Sequence, residues 1–157
     1  MIFALSALAV TIVAAFIDLR TRTIPNPLTW SVFAIGIAAH AWQAQVPGAL
    51  TALLCAAVCA LPFLPAVLAG GMGGGDLKLA LALGALLGNL QATLTLLIVT
   101  VSSGAALAFI AAARQGRLRE TLRRLFSRDA RRTPGVSIAY GPAFVCGAVA
   151  VVARLLL

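Results

Sequence analysis

Charge is what this sequence has least of. Only 10% of its 157 residues are charged, against about a quarter in an ordinary soluble domain, and only four are acids: Asp18, Asp76, Glu120 and Asp129. A chain so poor in charge cannot cover a soluble globule, so that class is excluded. Histidine occurs once, at His40, and cysteine three times, at Cys55, Cys59 and Cys146. A structural zinc wants about four ligands, often paired as C-x-x-C, so no metal is expected. Cys55 and Cys59 stand four apart in an apolar run and share a helix face; all three cysteines are expected as buried thiols that pack like small hydrophobes. No basic residue precedes the first apolar run, so the positive start of a cleavable signal peptide is lacking, and Met1 to Ile17 is expected to be a retained span.

Apolar residues fill the space left by charge, at 62% of the chain. They fall into six stretches: Ile2 to Ile17, Leu28 to Gln43, Ala49 to Ala69, Leu77 to Gly88, Leu90 to Ala113 and Val136 to Leu157. A hydrocarbon slab about 30 Å thick takes roughly 20 residues per helical span. The expected fold is therefore all-α, a polytopic membrane protein of about six transmembrane helices forming one domain over residues 1–157. Asn26 and Pro27 offer an N-cap and an N1 proline to the second span, and Asp76 stands where a cap would open the fourth. That fourth stretch is short, and crosses only if glycine-rich backbone or Asn89 lies at membrane depth, inside protein or beside water.

Alternation of six helices puts residues 18–27, 70–76 and 114–135 on one face. Those connections and their flanks carry eleven of the twelve basic residues, all but Arg154. The positive-inside rule makes that face cytoplasmic and both termini external. Merging Leu77 to Ala113 into one span would put the eight arginines of 114–135 on the opposite face and break the agreement. Within this basic loop Leu118, Leu122, Leu125 and Phe126 recur at helical spacing, which predicts a short amphipathic helix on anionic lipid headgroups. The net charge of +8 is thereby assigned to topology and lipid rather than to nucleic acid, which is not an expected partner.

Glu120 and Asp129 sit among those arginines, leaving two acids for chemistry. Asp18 closes the first span and Asp76 opens the fourth, so alternation brings both to the cytoplasmic depth. Ionisable groups at membrane depth are costly and point to function. Two neighbouring carboxylates in a low dielectric share a proton, so one can act as general base on water while the other donates to a carbonyl. The alternative is that Asp18 is an interfacial charge and Asp76 only a helix cap. Gly70, Gly71, Gly73, Gly74 and Gly75 precede Asp76; such a run permits positive φ and close approach of an extended peptide. The Lys-Ser/Thr of a P-loop is absent, which argues against a nucleotide.

Three segments carry a resemblance. Asp18 followed by Ile24-Pro25-Asn26, the run Gly73-Gly74-Gly75-Asp76-Leu77-Lys78, and Ile138-Ala139-Tyr140-Gly141-Pro142-Ala143 are similar, in order, to the first-aspartate, G-x-G-D-x-K and I-P-Y-G-P-A motifs of type IV prepilin peptidases. Ala139 stands where that family usually has proline. The resemblance implies a membrane aspartic endopeptidase of the bacterial inner membrane, with Asp18 and Asp76 as the catalytic pair. It would remove the leader of a type IV-like prepilin at the cytoplasmic face, cutting after a glycine, without cofactor or metal. Gly73, Gly74, Gly75, Lys78 and Tyr140 would support the site or bind substrate, and Pro25 and Asn26 would fix the turn that presents Asp18. Bifunctional members also methylate the new N-terminus and carry a cytoplasmic region near their start, often with C-x-x-C pairs. Neither is seen here, so the chain resembles the short, peptidase-only form used for Flp-type tight-adherence pili, without methyltransferase activity. An archaeal preflagellin-type peptidase has similar motifs. Two membrane aspartates would also suit an ion-coupled transporter, though no internal repeat is visible, and a non-enzymatic assembly subunit would need neither acid.

Overall fold

The computed structural model describes residues 1–68, 72–114 and 140–157, and among them there is helix but no strand. The elements are α1 (Ile2–Thr21), α2 (Asn26–Ala60), a 3₁₀ turn (Leu61–Phe63), α3 (Leu64–Leu68), α4 (Gly74–Leu87), α5 (Leu90–Arg114) and α6 (Gly141–Leu156). Among the described residues three helical stretches are long and apolar enough to cross a membrane, Ile2–Thr21, Asn26–Leu68 and Leu90–Ile110, while α6 is apolar but shorter. The basic segment from Gln115 onward, Gly70 and Gly71 of the glycine run, and Val136 to Ala139 lie outside the described residues.

The helix α2 holds 35 residues, about 52 Å if straight, far more than a hydrocarbon slab accommodates. It is not straight. Ala44 (φ −136, ψ 20) and Gln45 (φ 52, ψ −136) leave helical geometry, and Pro47 follows without an N–H to continue the ladder. The break coincides with the polar interruption expected between Gln43 and Ala49. Gly36, before the break, meets the backbone of Ala85 and Leu86, and Cys55 and Ala56, after it, meet Gly84. Both halves of α2 therefore reach the same level of α4 at nearly equal distances from the break. The chain folds back on itself, and α4 lies between the two halves.

Contacts at the two ends fix the direction of the remaining helices. At one end the last turn of α1, the start of α4 and the start of α6 converge around Asp18, Asp76 and Tyr140. Phe63, just after the second half of α2, stacks on Phe144 near the same end of α6, with ring centroids 5.6 Å apart. At the other end Met1, Leu87, Asn89, Arg154 and Leu155 surround one cavity. Among the described residues α1, the two halves of α2, α4, α5 and α6 thus follow one another in alternating directions. Leu79, Leu83, Leu96, Phe144 and Val151 are fully buried between them.

Helix ends depart from the expected ones, by four residues at the end of α1 (Thr21 for Ile17) and by three at the start of α4 (Gly74 for Leu77). Pro25 (φ −63, ψ 131) is the N-cap of α2, with Asn26 and Pro27 already inside the first turn, so Asn26 is not the cap. Asp76 is not a cap either: Gly73 (φ −70, ψ 141) takes that place, Gly74 and Gly75 wind into the helix, and Asp76 is its third residue. Unhindered glycine backbone continues the helix backward, and an acid in the first turn is favoured by the helix dipole. Asn89 is the cap that holds as a cap must, its side chain accepting the Ala92 N–H at 3.0 Å to open α5. Cys55 and Cys59 are buried, but Cys146 is exposed, because its face of α6 points away from the bundle.

The fourteen-residue α4 ends on Gly88, in the left-handed region at φ 54. A Cβ there would also run into the ring of His40, which stacks on Phe3 at 4.5 Å and lies 3.1 Å from the Leu86 carbonyl through Nε2. Gly88→Ala combines a disfavoured φ with a clash, and is expected to cost on the order of 2 to 4 kcal/mol. The variant's melting midpoint in detergent should fall clearly below the parent's; an unchanged midpoint would contradict the packing described.

Candidate active site

The end of α1 and the start of α4 are joined by the turn between α1 and α2. Arg22 caps α1 in the left-handed conformation (φ 52, ψ 28) and its N–H returns to the Asp18 carbonyl at 2.8 Å, so the chain reverses within four residues of the acid. Ile24 then turns inward, 8% exposed, and packs on Gly75, where a Cβ would lie 3.2 Å from that of Ile24. This contact seats the turn on the first turn of α4. Asp18 and Asp76, 58 positions apart in sequence, are consequently brought to one place and are both buried, at 6% and 8% exposure.

Between them opens a cavity of about 230 Å³, lined by Asp18, Arg22, Thr23, Ile24 and Asn26 on one side and Gly73, Gly74, Gly75 and Asp76 on the other. The described glycines of the run differ from the sequence expectation in one respect, their φ. None of Gly73, Gly74 and Gly75 has positive φ. Their contribution is the missing side chain: Gly74 has nothing within 4 Å of where a Cβ would stand, and Gly73 leaves the Asp76 carboxylate uncovered. A mouth without side chains admits an extended backbone to two carboxyl groups. The cavity of about 350 Å³ at the far end of the bundle is lined by no acid.

Lys78 takes a different direction from that of a group acting on the acids. Its Nζ donates to Asn26 Oδ1 at 2.8 Å and so ties α4 to the first turn of α2. Asn26 has a partner across the site, and Pro25 sets the start of α2 beneath it. Tyr140 is half-buried at the start of α6, its ring lying over Gly104 of α5.

One residue of the site was not singled out by sequence reasoning. The backbone N–H of Gly141 donates to Asp18 Oδ2 at 3.0 Å in a buried hydrogen bond. A Cβ at Gly141 would stand 2.7 Å from Ala15 Cα, so α6 approaches α1 backbone to backbone at this point. The signal available was the Gly-Pro pair at a helix start, which marks a free N–H; nothing in the sequence said where it points.

Among the described residues no three of His, Cys, Asp and Glu gather as metal ligands. Comparison with curated proteins and with solved structures gave no match. The sequence profile of the type IV leader peptidase family matches residues 5–110, which include both acids and the glycine run. With the apolar helices and the profile in agreement over two thirds of its length, the chain belongs to the type IV leader peptidase family.

Proposed function

We propose that this protein is a membrane aspartic endopeptidase that removes the leader from a type IV-like prepilin, cutting after a glycine at the cytoplasmic face. The observation that carries the reading is the pair of buried carboxyl groups, Asp18 and Asp76, at the edge of one open cavity with a mouth of glycine. Two such groups cannot both ionise at low cost, so the pair holds one proton. The carboxylate takes a proton from water as the water oxygen bonds to the scissile carbonyl carbon; the carbonyl oxygen takes the proton of the other carboxyl. The C–N bond of the resulting diol then breaks, the leaving amine takes the proton held since the first step, and a diol O–H returns its proton to the second acid. Both acids end as they began.

The course of α5 supports the proposed orientation. Gly104 lies under Tyr140 at the level of the acids, and α5 continues for ten residues to Arg114, about 15 Å beyond. The arginine-rich segment therefore starts on the side of the cavity, which supports a cytoplasmic site under the positive-inside rule, six crossings and external termini. Anionic headgroups are the partner proposed for that segment. Methyl transfer is not part of the proposal. In lipid nanodiscs, the purified chain is expected to cut a prepilin with a Gly-ending leader at that glycine, with a rate unchanged by metal chelators. Loss of cleavage in chelator, restored by metal, would contradict the mechanism.

A further inference from the structure

The start of α6 offers few donors, and they can be accounted for one by one. A helix leaves the N–H groups of its first turn without intrahelical partners. In α6 these belong to Gly141, Pro142 and Ala143, with Phe144 next. Pro142 has no N–H. Ala143 donates to the Tyr140 carbonyl at 2.9 Å, and Phe144 to the same oxygen at 3.4 Å. One donor is left, that of Gly141, and it goes to Asp18 Oδ2 at 3.0 Å in a buried contact. Asp18 thus receives both the remaining N–H of this helix terminus and the positive end of its dipole, in a place with little water to compete.

An N–H that can only donate favours an acceptor that carries charge, and it makes the two acids unequal. Resting on the aspartic reading above, we propose that the Gly141 backbone N–H is the positioning group that holds Asp18 ionised, as the base that takes the proton from water, and leaves Asp76 as the acid that protonates the carbonyl oxygen. Asp76 faces the glycine mouth, 3.6 Å from where a Gly73 Cβ would be, which suits a group that meets the substrate's carbonyl. The arrangement also gives a reason for glycine at 141. A side chain would push α6 off Ala15 and carry the N–H away from the carboxylate.

A side-chain substitution cannot test a backbone donor cleanly, but replacing Gly141 by glycolic acid turns the Tyr140–Gly141 amide into an ester and deletes the N–H without adding bulk. In the full-length chain made by cell-free synthesis into nanodiscs, kcat for prepilin cleavage should fall about 10- to 100-fold, the range for a lost hydrogen bond to a charged group, with KM within about twofold. An unchanged kcat, or a loss residing in KM, would overturn the proposal. The second readout does not depend on that variant folding. Only four side-chain acids exist in the chain, so infrared spectra of carboxyl groups are uncrowded. The C=O stretch of a protonated carboxyl in the parent should vanish in Asp76→Asn and persist in Asp18→Asn; the reverse would overturn the assignment. The failure of the underlying reading looks different: cleavage would survive both Asn substitutions.

Discussion

Gly84→Val is expected to leave little folded protein. The reason lies in the position of α4 between the two halves of α2. A Cβ at Gly84 would run into the Cys55 carbonyl oxygen and stand 2.7 Å from Ala56 Cα, and both obstacles are backbone, which cannot rotate aside. Relief by moving α4 away from the second half of α2 is resisted on the other side, where Gly36 holds the first half within backbone contact of Ala85 and Leu86. In lipid, where apolar side chains gain little by leaving the tails, close backbone packing at small residues is the main attraction between helices. Overpacking in a tight core costs about 1 to 3 kcal/mol for added methylenes, and three added carbons against fixed backbone should exceed the upper figure. Monodisperse protein after detergent extraction should drop to a small fraction of the parent. Full recovery at the parent's melting midpoint would mean that α4 does not lie where it is described.

Asp18→Asn and Asp76→Asn are each expected to reduce cleavage by a factor of about 10⁴ or more, with expression and melting midpoint close to the parent's. Asparagine keeps the shape of the side chain but cannot take a proton from water or hold one for the carbonyl oxygen. Since the two acids act as one unit, the double substitution should be no slower than the singles. Stability is predicted to hold in Asp18→Asn because the Gly141 N–H still finds an acceptor in the amide oxygen of the new side chain and one charge fewer is buried, and in Asp76→Asn because one neutral side chain replaces another of the same shape. A tenfold effect only, or effects that multiply in the double variant, would instead fit two independent structural carboxylates.

Much of this arrangement was legible in the sequence for a simple physical reason: charge is so rare that each acid had to be explained. The basic residues divided the chain into alternating segments, and the break around Gln43 to Ala49 is where α2 folds back. What stayed hidden depends on three-dimensional proximity. The cap of α4 fell to Gly73 rather than Asp76 because glycine imposes no preference of its own and lets the helix extend backward. Lys78 reads as a neighbour of the acid two positions before it, yet in a helix i and i+2 point to different sides, and its ammonium reaches Asn26 instead. Glycines at 36 and 84 looked like ordinary members of apolar runs, and Gly141 was legible only as part of the third motif; their importance rests on what crosses them. The outward face of Cys146 follows from the angle at which α6 packs, and its small residues concealed that angle.

Whether Asp18 and Asp76 form one hydrolytic pair is tested most directly by mass spectrometry of a prepilin carrying a Gly-ending leader. The prepilin is incubated with the parent, each Asn variant and the double variant, all in nanodiscs at equal folded concentration. One new N-terminus, directly after the glycine, is predicted with the parent, and none with the three variants. The same new N-terminus appearing with either single variant at the parent's rate would contradict the pairing.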